Sequence, residues 1–288
     1  MQVLHFIPRI FLRHKVVEFA CKMKLHSRFH ETQFNDGSKA FLDLLDPEPR
    51  NVFIRRRFDP DFFSISSSFL RPDGVFFDLG ANHGLCSFGH LPTCETVNFH
   101  LFEANELLFK TIVKSTELYP KTSFSINNVC ISDKEGFSSF HIESSQTGQS
   151  HIAVGPESGI KVKNLVLDHY CKQKDLFIID FAKIDLEGHE LSALKGWENS
   201  LRQHLIRAIY IEIIPENQKR YGLKANAPLI YLESLGYELF LCKKDDLEEF
   251  GTYKIKSTKK SDSIQLSKFN ASDYPDSFAT DILALPPQ

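Results

Sequence analysis

The chain has 288 residues, 42% of them hydrophobic and 25% charged, with a formal net charge of −3. That length suits one large α/β domain or a domain with an extension, the 26 phenylalanines can fill a substantial core, and the charge gives no electrostatic case for a nucleic-acid partner. Cys21, Cys86, Cys94, Cys130, Cys171 and Cys242 form neither a CxxC pair nor a cysteine–histidine cluster, which argues against structural zinc and a disulfide framework and fits a reducing, cytoplasmic setting.

No apolar run approaches the roughly 20 residues of a membrane-spanning helix. The opening stretch MQVLHFIPRIFLRHKVVEFACKMKLHSRFH is basic and part-apolar, broken by arginines and Pro8. It lacks a signal-peptide core. It reads as one or two amphipathic helices, candidates for packing on the domain, for dimerisation or for peripheral membrane contact. Residues 1–70 are expected to form a helical, then irregular extension, and residues 71–288 the main domain. RPDG (71–74) reads as a turn. Strands and helices then alternate: a strand at 75–79, a helix over 84–91, a strand at 96–103, and a helix over 105–118 capped by Asn105. A third strand is expected over 124–132, a hairpin strand over 137–142, and a fourth core strand over 176–187. A helix at 191–201, a strand at 205–213, a helix at 227–236, and strands at 237–244 and 281–287 complete the pattern. Such alternation predicts a parallel sheet covered on both faces.

Ligands of an open parallel sheet bind beyond the carboxyl ends of its strands. Acids stand at four of those ends: Asp78, Glu103, Asp185 and Glu212. A charge that closes an apolar run is costly if buried unpaired, so four along one rim point to a site. After Asp78 the chain reads LGANHG, with only Gly80 and Gly84 in the turn. Glycine there permits unusual backbone angles and close approach of a ligand. The spacing is not the GxGxxG of a dinucleotide site, and the Asp78 carboxylate would repel a phosphate but suit an ammonium group. Glu103, at the next strand end, can accept both hydroxyl protons of a ribose. A ligand with a ribose, an ammonium and no phosphate is S-adenosylmethionine.

With these residues in view, the chain resembles a class I S-adenosylmethionine-dependent methyltransferase of the FkbM family. The stretches that carry the likeness are VFFDLGANHG (75–84), FHLFEAN (99–105), INNVCISDKEG (126–136), LVLDHYC (165–171), FAKIDLEGHELSALKG (181–196) and AIYIEI (208–213). The resemblance implies a Rossmann-like, doubly wound, mostly parallel seven-stranded sheet. It also implies methyl transfer to oxygen, often on sugars, glycans or small natural products. His83 stands where the family usually has an apolar residue, and FEAN lacks the proline that commonly follows the acid; these departures bear on substrate choice.

By resemblance Asp78, Gly80, Ala81, Asn82 and Gly84 form the methionine-side loop and Glu103 holds the ribose. Asn128 is the candidate for the adenine edge, with a turn-forming role as the rival. The acceptor side is expected at Asp185, Glu187, His189 and Glu190, with Glu212 behind them. Asp185 is the first choice for cofactor or acceptor contact. His189 is a candidate base, with a solvent-facing helix histidine as the rival reading. Glu187 can equally cap the following helix. Asp185, Glu187 and Glu212 could bind a divalent metal through oxygens, but no ligand spacing singles one out and none is predicted. The polar segment 144–152 is a candidate lid, the arginine run at 55–57 a solvated face or an anion contact, and KIKSTKKSD (254–262) an exposed loop. The expected partner is a small-molecule or glycan acceptor, with no nucleic acid. The rival readings are an inactive binding protein on the same fold and a nucleotide- or NAD-binding enzyme.

Overall fold

The structure, a computed structural model, describes residues 10–143, 146–155, 159–242, 252–256 and 263–287. The chain opens with α1 (Ile10–Lys22), a hairpin of β1 (Phe29–Phe34) and β2 (Ser38–Asp43), and helices α2 (Pro47–Arg55) and α3 (Pro60–Ser66). Both later helices start on Asp-Pro: Asp46 accepts from the Glu48 N–H and Asp59 from the Phe62 N–H, and proline suits the first helical position. The hairpin is an addition to the expected helical and irregular extension. Its turn is Asn35, Asp36 and Gly37, all at positive φ, and its strands bury Thr32, Phe34, Ala40 and Leu42. The outer face of α1 leaves Phe11 and Phe19 exposed, and Met23 just beyond the helix is exposed too.

The domain follows with β3 (Val75–Leu79), α4 (Leu85–Phe88), β4 (Asn98–Phe102), α5 (Glu106–Thr116) and β5 (Ser123–Asn127). Asn105 caps α5, its side chain accepting from the Leu107 N–H. The strand expected over 124–132 is two strands in two sheets. Asn128 turns its amide onto the carbonyls of Glu103 and Ala104 at 2.8 and 3.0 Å, and the ladder ends there. Beyond it β6 (Cys130–Ile131), β7 (Gly136–His141), β8 (His151–Ile152) and β9 (Ile160–Leu165) form a small inserted sheet in the order β6-β9-β7-β8.

Next come α6 (Leu167–Gln173), β10 (Phe181–Ile184), α7 (Glu190–Lys195), α8 (Glu198–Arg202), β11 (Ile209–Ile213), α9 (Pro215–Arg220) and α10 (Ala227–Ser234). The single helix expected over 191–201 breaks at Gly196 and Trp197. Gly196 lies so close to the Ser132 carbonyl that a Cβ would fall 2.3 Å from its oxygen. Trp197 is fully buried and stacks on Phe77 with centroids 5.4 Å apart. The last strands are β12 (Glu238–Leu241), β13 (Thr252–Lys256), β14 (Ser263–Phe269) and β15 (Thr280–Leu285). Residues 254–256, expected in an exposed loop, belong to β13; 243–244 and 257–262 lie outside the described residues.

The main sheet runs β13-β14-β12-β15-β11-β10-β3-β4-β5. β11, β10, β3, β4 and β5 are parallel, and β15 is antiparallel between β11 and β12. This is the expected seven-stranded, doubly wound, Rossmann-like sheet, extended by β14 and β13 beyond its β12 edge. The strand order reverses between β3 and β10, so the carboxyl ends of those strands mark the switch point where such sheets bind ligands.

Alternation along the strands splits the core. Phe77, Ala182, Ile184, Ile209 and Ile211 face α6, α7, α8 and α10 through Leu167, Leu194, Leu201 and Leu229. Phe76, Phe99, Phe181, Tyr210 and Leu283 face the extension through Val17, Phe34, Leu42, Val52, Phe62 and Ile65. Burying each such side chain is worth roughly 1.5–3 kcal/mol, so residues 10–70 cover one face of the sheet as part of a shared core. Among the described residues no helix is long and apolar enough to cross a membrane.

Candidate active site

The same alternation arranges the polar residues at the switch point. Asp78 is in register with Lys183, Lys183 with Tyr210, and Glu212 with Asp281, so one row of polar side chains points to the extension face. A recess of about 170 Å³ there is bounded by Lys183, Tyr210, Glu212 and Asp281 and by Phe58, Asp59 and Phe62 of the extension. It shares Glu48, Asn82, Asp185 and Glu212 with a larger cavity of about 600 Å³ over the strand ends, a size ordinary for a small-molecule site.

Lys183 holds this region together. Its Nζ donates to the Gly80 carbonyl at 2.9 Å and to Asp185 Oδ2 at 3.0 Å, and lies 3.9 Å from Asp78 Oδ1. Burial works against its charge, but Asp185 and Asp78 more than offset it and hold the ammonium above the ordinary lysine value. Asp78 is fully buried and accepts from Ser87 Oγ at 2.7 Å. Burial raises its pKa, opposed by Lys183 and Ser87. Asp78 does not line the cavity: its carboxylate lies beneath the turn and acts on Lys183 and Ser87. Lysine within a buried strand, at the head of KIDLEG, was a readable signal for a paired charge.

The turn itself is tightly drawn. Gly80 sits at φ +75°, and a Cβ there would fall 1.9 Å from the Asp185 carbonyl oxygen, so no side chain fits. Asn82 adopts φ +52°, a conformation asparagine tolerates better than most residues. Its Oδ1 is buried without a partner, and the residue lines both cavities. Ala81 lines the smaller recess. Gly84 lines neither; its α-carbon packs on the Phe88 ring.

Glu103 stands in the cavity wall between its two donors, the Asn82 N–H at 2.8 Å and the Asn105 N–H at 2.7 Å. Burial pushes its carboxyl up to about 7 against those bonds. Beside it Ala104, Leu108, Val129, Ile131 and Phe140 form an apolar slot. Asn128 is outside that wall, its amide spent on the backbone, so the slot has no polar edge from it. Orphaned Asn82 Oδ1, the Glu103 carboxylate and the slot fit a cation-bearing nucleoside.

Across the switch point lie Asp185, Glu187, His189 and Glu212. Asp185, together with burial and Asp281, raises Glu212 to about 9. Burial, with Asp185 and Glu190 nearby, raises Glu187 to about 8; Asn217 donates to Glu187 Oε2 at 2.5 Å. Burial lowers His189 to about 4, so the ring is neutral; the residue lines the cavity, and its Nε2 is buried without a partner. Glu190 is not in the wall. It accepts from the Leu186 and Gly188 N–H groups at 2.9 and 3.1 Å and from Gln218, which fixes the 186–188 loop. Among the described residues no group of three or more His, Cys, Asp or Glu is placed to hold a metal ion.

Glu48, Asn217 and Arg220 were not foreseen in the wall. Glu48 comes from α2, its carboxyl raised by burial and then by Asp185. Residues 146–150, from the candidate lid, line the cavity. Thr147 N–H donates to Asp46 Oδ2 at 3.0 Å, and its hydroxyl donates to the same oxygen; Ser144 and Ser145 lie outside the described residues. Asn217 and Arg220 come from α9, which had no sequence expectation. No short motif marks any of these, because each reaches the cavity through a tertiary contact.

The family model described as methyltransferase FkbM domain matches residues 78–239. The curated hexuronic acid methyltransferase AglP of Haloferax volcanii is 28% identical over 142 residues, 49% of this chain and 56% of that protein. The match thus spans little more than half of the relative's length. Among solved structures, precorrin-6y C5,15-methyltransferase from Geobacter metallireducens aligns with a TM-score of 0.36 at 13% identity, covering 76% of this chain and 85% of that one. M. jannaschii TYW2 in complex with AdoMet aligns with a TM-score of 0.35 at 11% identity, covering 91% and 89%.

Proposed function

The match over more than half of its length makes the chain a member of the FkbM methyltransferase family, and from that premise we propose that it methylates an oxygen of a sugar, glycan or small natural product with S-adenosylmethionine. The observation that carries the reading is the cavity at the switch point, with Glu103 beside the Gly80–Asn82 turn at one end and Asp185, Glu187 and His189 at the other. When bound, S-adenosylmethionine supplies a methyl group on a good sulfonium leaving group. Glu103 would accept the ribose hydroxyls on its remaining lone pairs. The slot of Ala104, Leu108, Val129 and Ile131 would take the adenine. Asn82 Oδ1, Glu48 and Asp185 would face the cationic end. Asp78 acts at one remove, by holding Lys183 and Ser87.

For the acceptor we assign His189 as base. His189 would take the proton that the acceptor hydroxyl loses as its oxygen gains the methyl group that bound S-adenosylmethionine supplies. A neutral imidazole in the wall can do this near neutrality, whereas Glu187 and Glu212 hold their protons there until a cation beside them favours ionisation. A base with its pKa near the working pH is worth about 10²–10⁴-fold; His189, lowered to about 4, supplies less, and alignment of the acceptor supplies the rest. The hexuronic acid methyltransferase relative supports a sugar acceptor.

The test is a calorimetric titration with S-adenosylhomocysteine and, separately, NAD, on wild type and Glu103→Ala, followed by methyl-transfer assays on an acceptor panel. Micromolar binding of S-adenosylhomocysteine that Glu103→Ala weakens at least tenfold is expected. A folded wild type that binds NAD, or neither ligand, would refute the reading. Cofactor binding with no turnover on any acceptor would favour an inactive binding protein.

A further inference from the structure

Glu48, Glu103, Asp185, Glu187, Glu212 and Glu216 make the cavity wall acidic, and among its described residues Arg220 is the one lysine or arginine. A guanidinium among so many carboxylates would be expected to pair with one. Arg220 does not: within 4 Å it has no carboxylate oxygen among the described residues. Its Nη1 donates to the Glu187 carbonyl at 2.9 Å and its Nη2 to Asn217 Oδ1 at 3.3 Å. Both acceptors are neutral. They fix the plane of the guanidinium and leave it without an ion-pair partner, its charge acting on Glu187 only at longer range, with donors to spare from the five it carries. Asn217 is itself buried and held by Glu187 Oε2, so the group is rigidly mounted.

Its place in the fold is equally specific. Arg220 closes α9, which follows β11, whereas Glu103 follows β4. β11 and β4 are three strands apart in the sheet order, roughly 14 Å at ordinary strand spacing. The helix that carries the arginine therefore starts from a strand end remote from Glu103, and the guanidinium itself is held at Glu187 and Asn217.

We infer that Arg220 is a specificity-determining residue that holds the carboxylate of an acidic sugar acceptor, while a hydroxyl of the same sugar is presented for methylation. This rests on the methyltransferase reading and narrows it to a uronic-acid-type substrate class. A planar carboxylate matches the guanidinium fork in a bidentate pair. A monoanion also balances a single arginine, whereas a phosphate dianion would leave excess negative charge facing the acidic wall.

The probes are methyl β-D-glucuronide and methyl β-D-glucoside, which differ only in carboxylate against hydroxymethyl. Each is titrated into protein saturated with S-adenosylhomocysteine, with binding read by saturation-transfer NMR. Wild type should prefer the glucuronide by about tenfold, near 1.4 kcal/mol, and the preference should shrink with added salt. Arg220→Gln should bring the two sugars within about twofold while binding S-adenosylhomocysteine as wild type does. Arg220→Lys, which keeps the charge but not the fork, should fall between. Equal binding of the two sugars by wild type, binding of neither, a preference that survives Arg220→Gln, or loss of S-adenosylhomocysteine affinity in both variants would overturn the assignment. Failure of wild type to bind S-adenosylhomocysteine at all would instead fell the methyltransferase reading beneath it.

Discussion

Lys183→Met is the most informative perturbation of the site. The substitution keeps the length of the side chain and removes the ammonium that stands 3.0 Å from Asp185 and 3.9 Å from Asp78. At an effective dielectric of about 20, those separations correspond to gross attractions of roughly 5 and 4 kcal/mol. Desolvation of the three groups cancels much of this, since Lys183 is only 12% exposed and Asp78 not at all. What remains after the lysine is lost is an unpaired buried carboxylate, and breaking a buried pair in that way costs about 3–5 kcal/mol. For a chain of this size the melting temperature should fall by about 10 °C. The loss has an internal control. Asp78→Asn in the Lys183→Met background removes the stranded charge, so the double variant should recover at least about 1.5 kcal/mol relative to Lys183→Met alone. At pH 5 the single variant should also be less impaired, because Asp78 can take up a proton. Urea unfolding of the four species of the double-mutant cycle measures both quantities. A Lys183→Met protein within about 1 kcal/mol of wild type, or a coupling below about 0.5 kcal/mol, would refute the account of the site as a charge-paired platform.

Gly80→Ala should destabilise by several kcal/mol or yield insoluble protein, since its Cβ would enter the Asp185 carbonyl at a positive φ; a soluble variant with an unchanged melting temperature would show that the turn yields. The acids raised to about 7, 8 and 9 at Glu103, Glu187 and Glu212 hold protons in the folded chain that the unfolded chain sheds above about 4.3. Each therefore costs stability as pH rises toward its folded value. The histidines lowered to about 3 at His90 and about 4 at His100 and His189 act oppositely, but only below about 6.5. Thermal unfolding of the ligand-free protein should thus fall by about 5 °C or more between pH 6.5 and 9, less in Glu212→Gln, and a flat profile would contradict these assignments. Thr147→Val loses the hydroxyl bond to Asp46 and keeps the backbone one. It should cost about 1 kcal/mol and speed proteolysis near residues 146–150, whereas wild-type cleavage kinetics would show that the latch holds nothing.

The sheet was legible because its strands are short apolar runs between glycine and polar turns, and the rim acids were legible because a charge closing such a run is conspicuous. Periodicity could not tell that Asn128 ends one strand and starts another sheet, since the residues on both sides are equally strand-like. It could not show that Asp78, one position from the end of β3, lies beneath the turn instead of in the cavity wall. That depends on register with Lys183, a pairing between residues more than 100 positions apart. β1 and β2 were hidden because FHETQF and SKAFLD carry mixed polar and apolar residues whose alternation becomes meaningful only against the sheet they cover. Glu48 and Arg220 were invisible for the same reason: nothing local distinguishes a glutamate or an arginine that tertiary folding later turns inward, whereas Thr147 lies in the polar segment expected as a lid.

The bond from Thr147 to Asp46 joins two stretches of chain that differ in their relation to the shared family pattern. Asp46 and its neighbour Glu48 precede the matched region, which begins at residue 78, while residues 146–150 belong to an insertion between two core strands. One side of the cavity is consequently assembled in part from chain outside the region that the family model matches. Changes in the leading segment can reshape that side while DLGANHG and KIDLEG stay as they are. Removing the leading segment would also strip the cover from Phe76, Phe99 and Phe181. Synthesis imposes a corresponding order: the leading segment emerges first and carries an apolar surface with no counterpart until the strands it covers have been made.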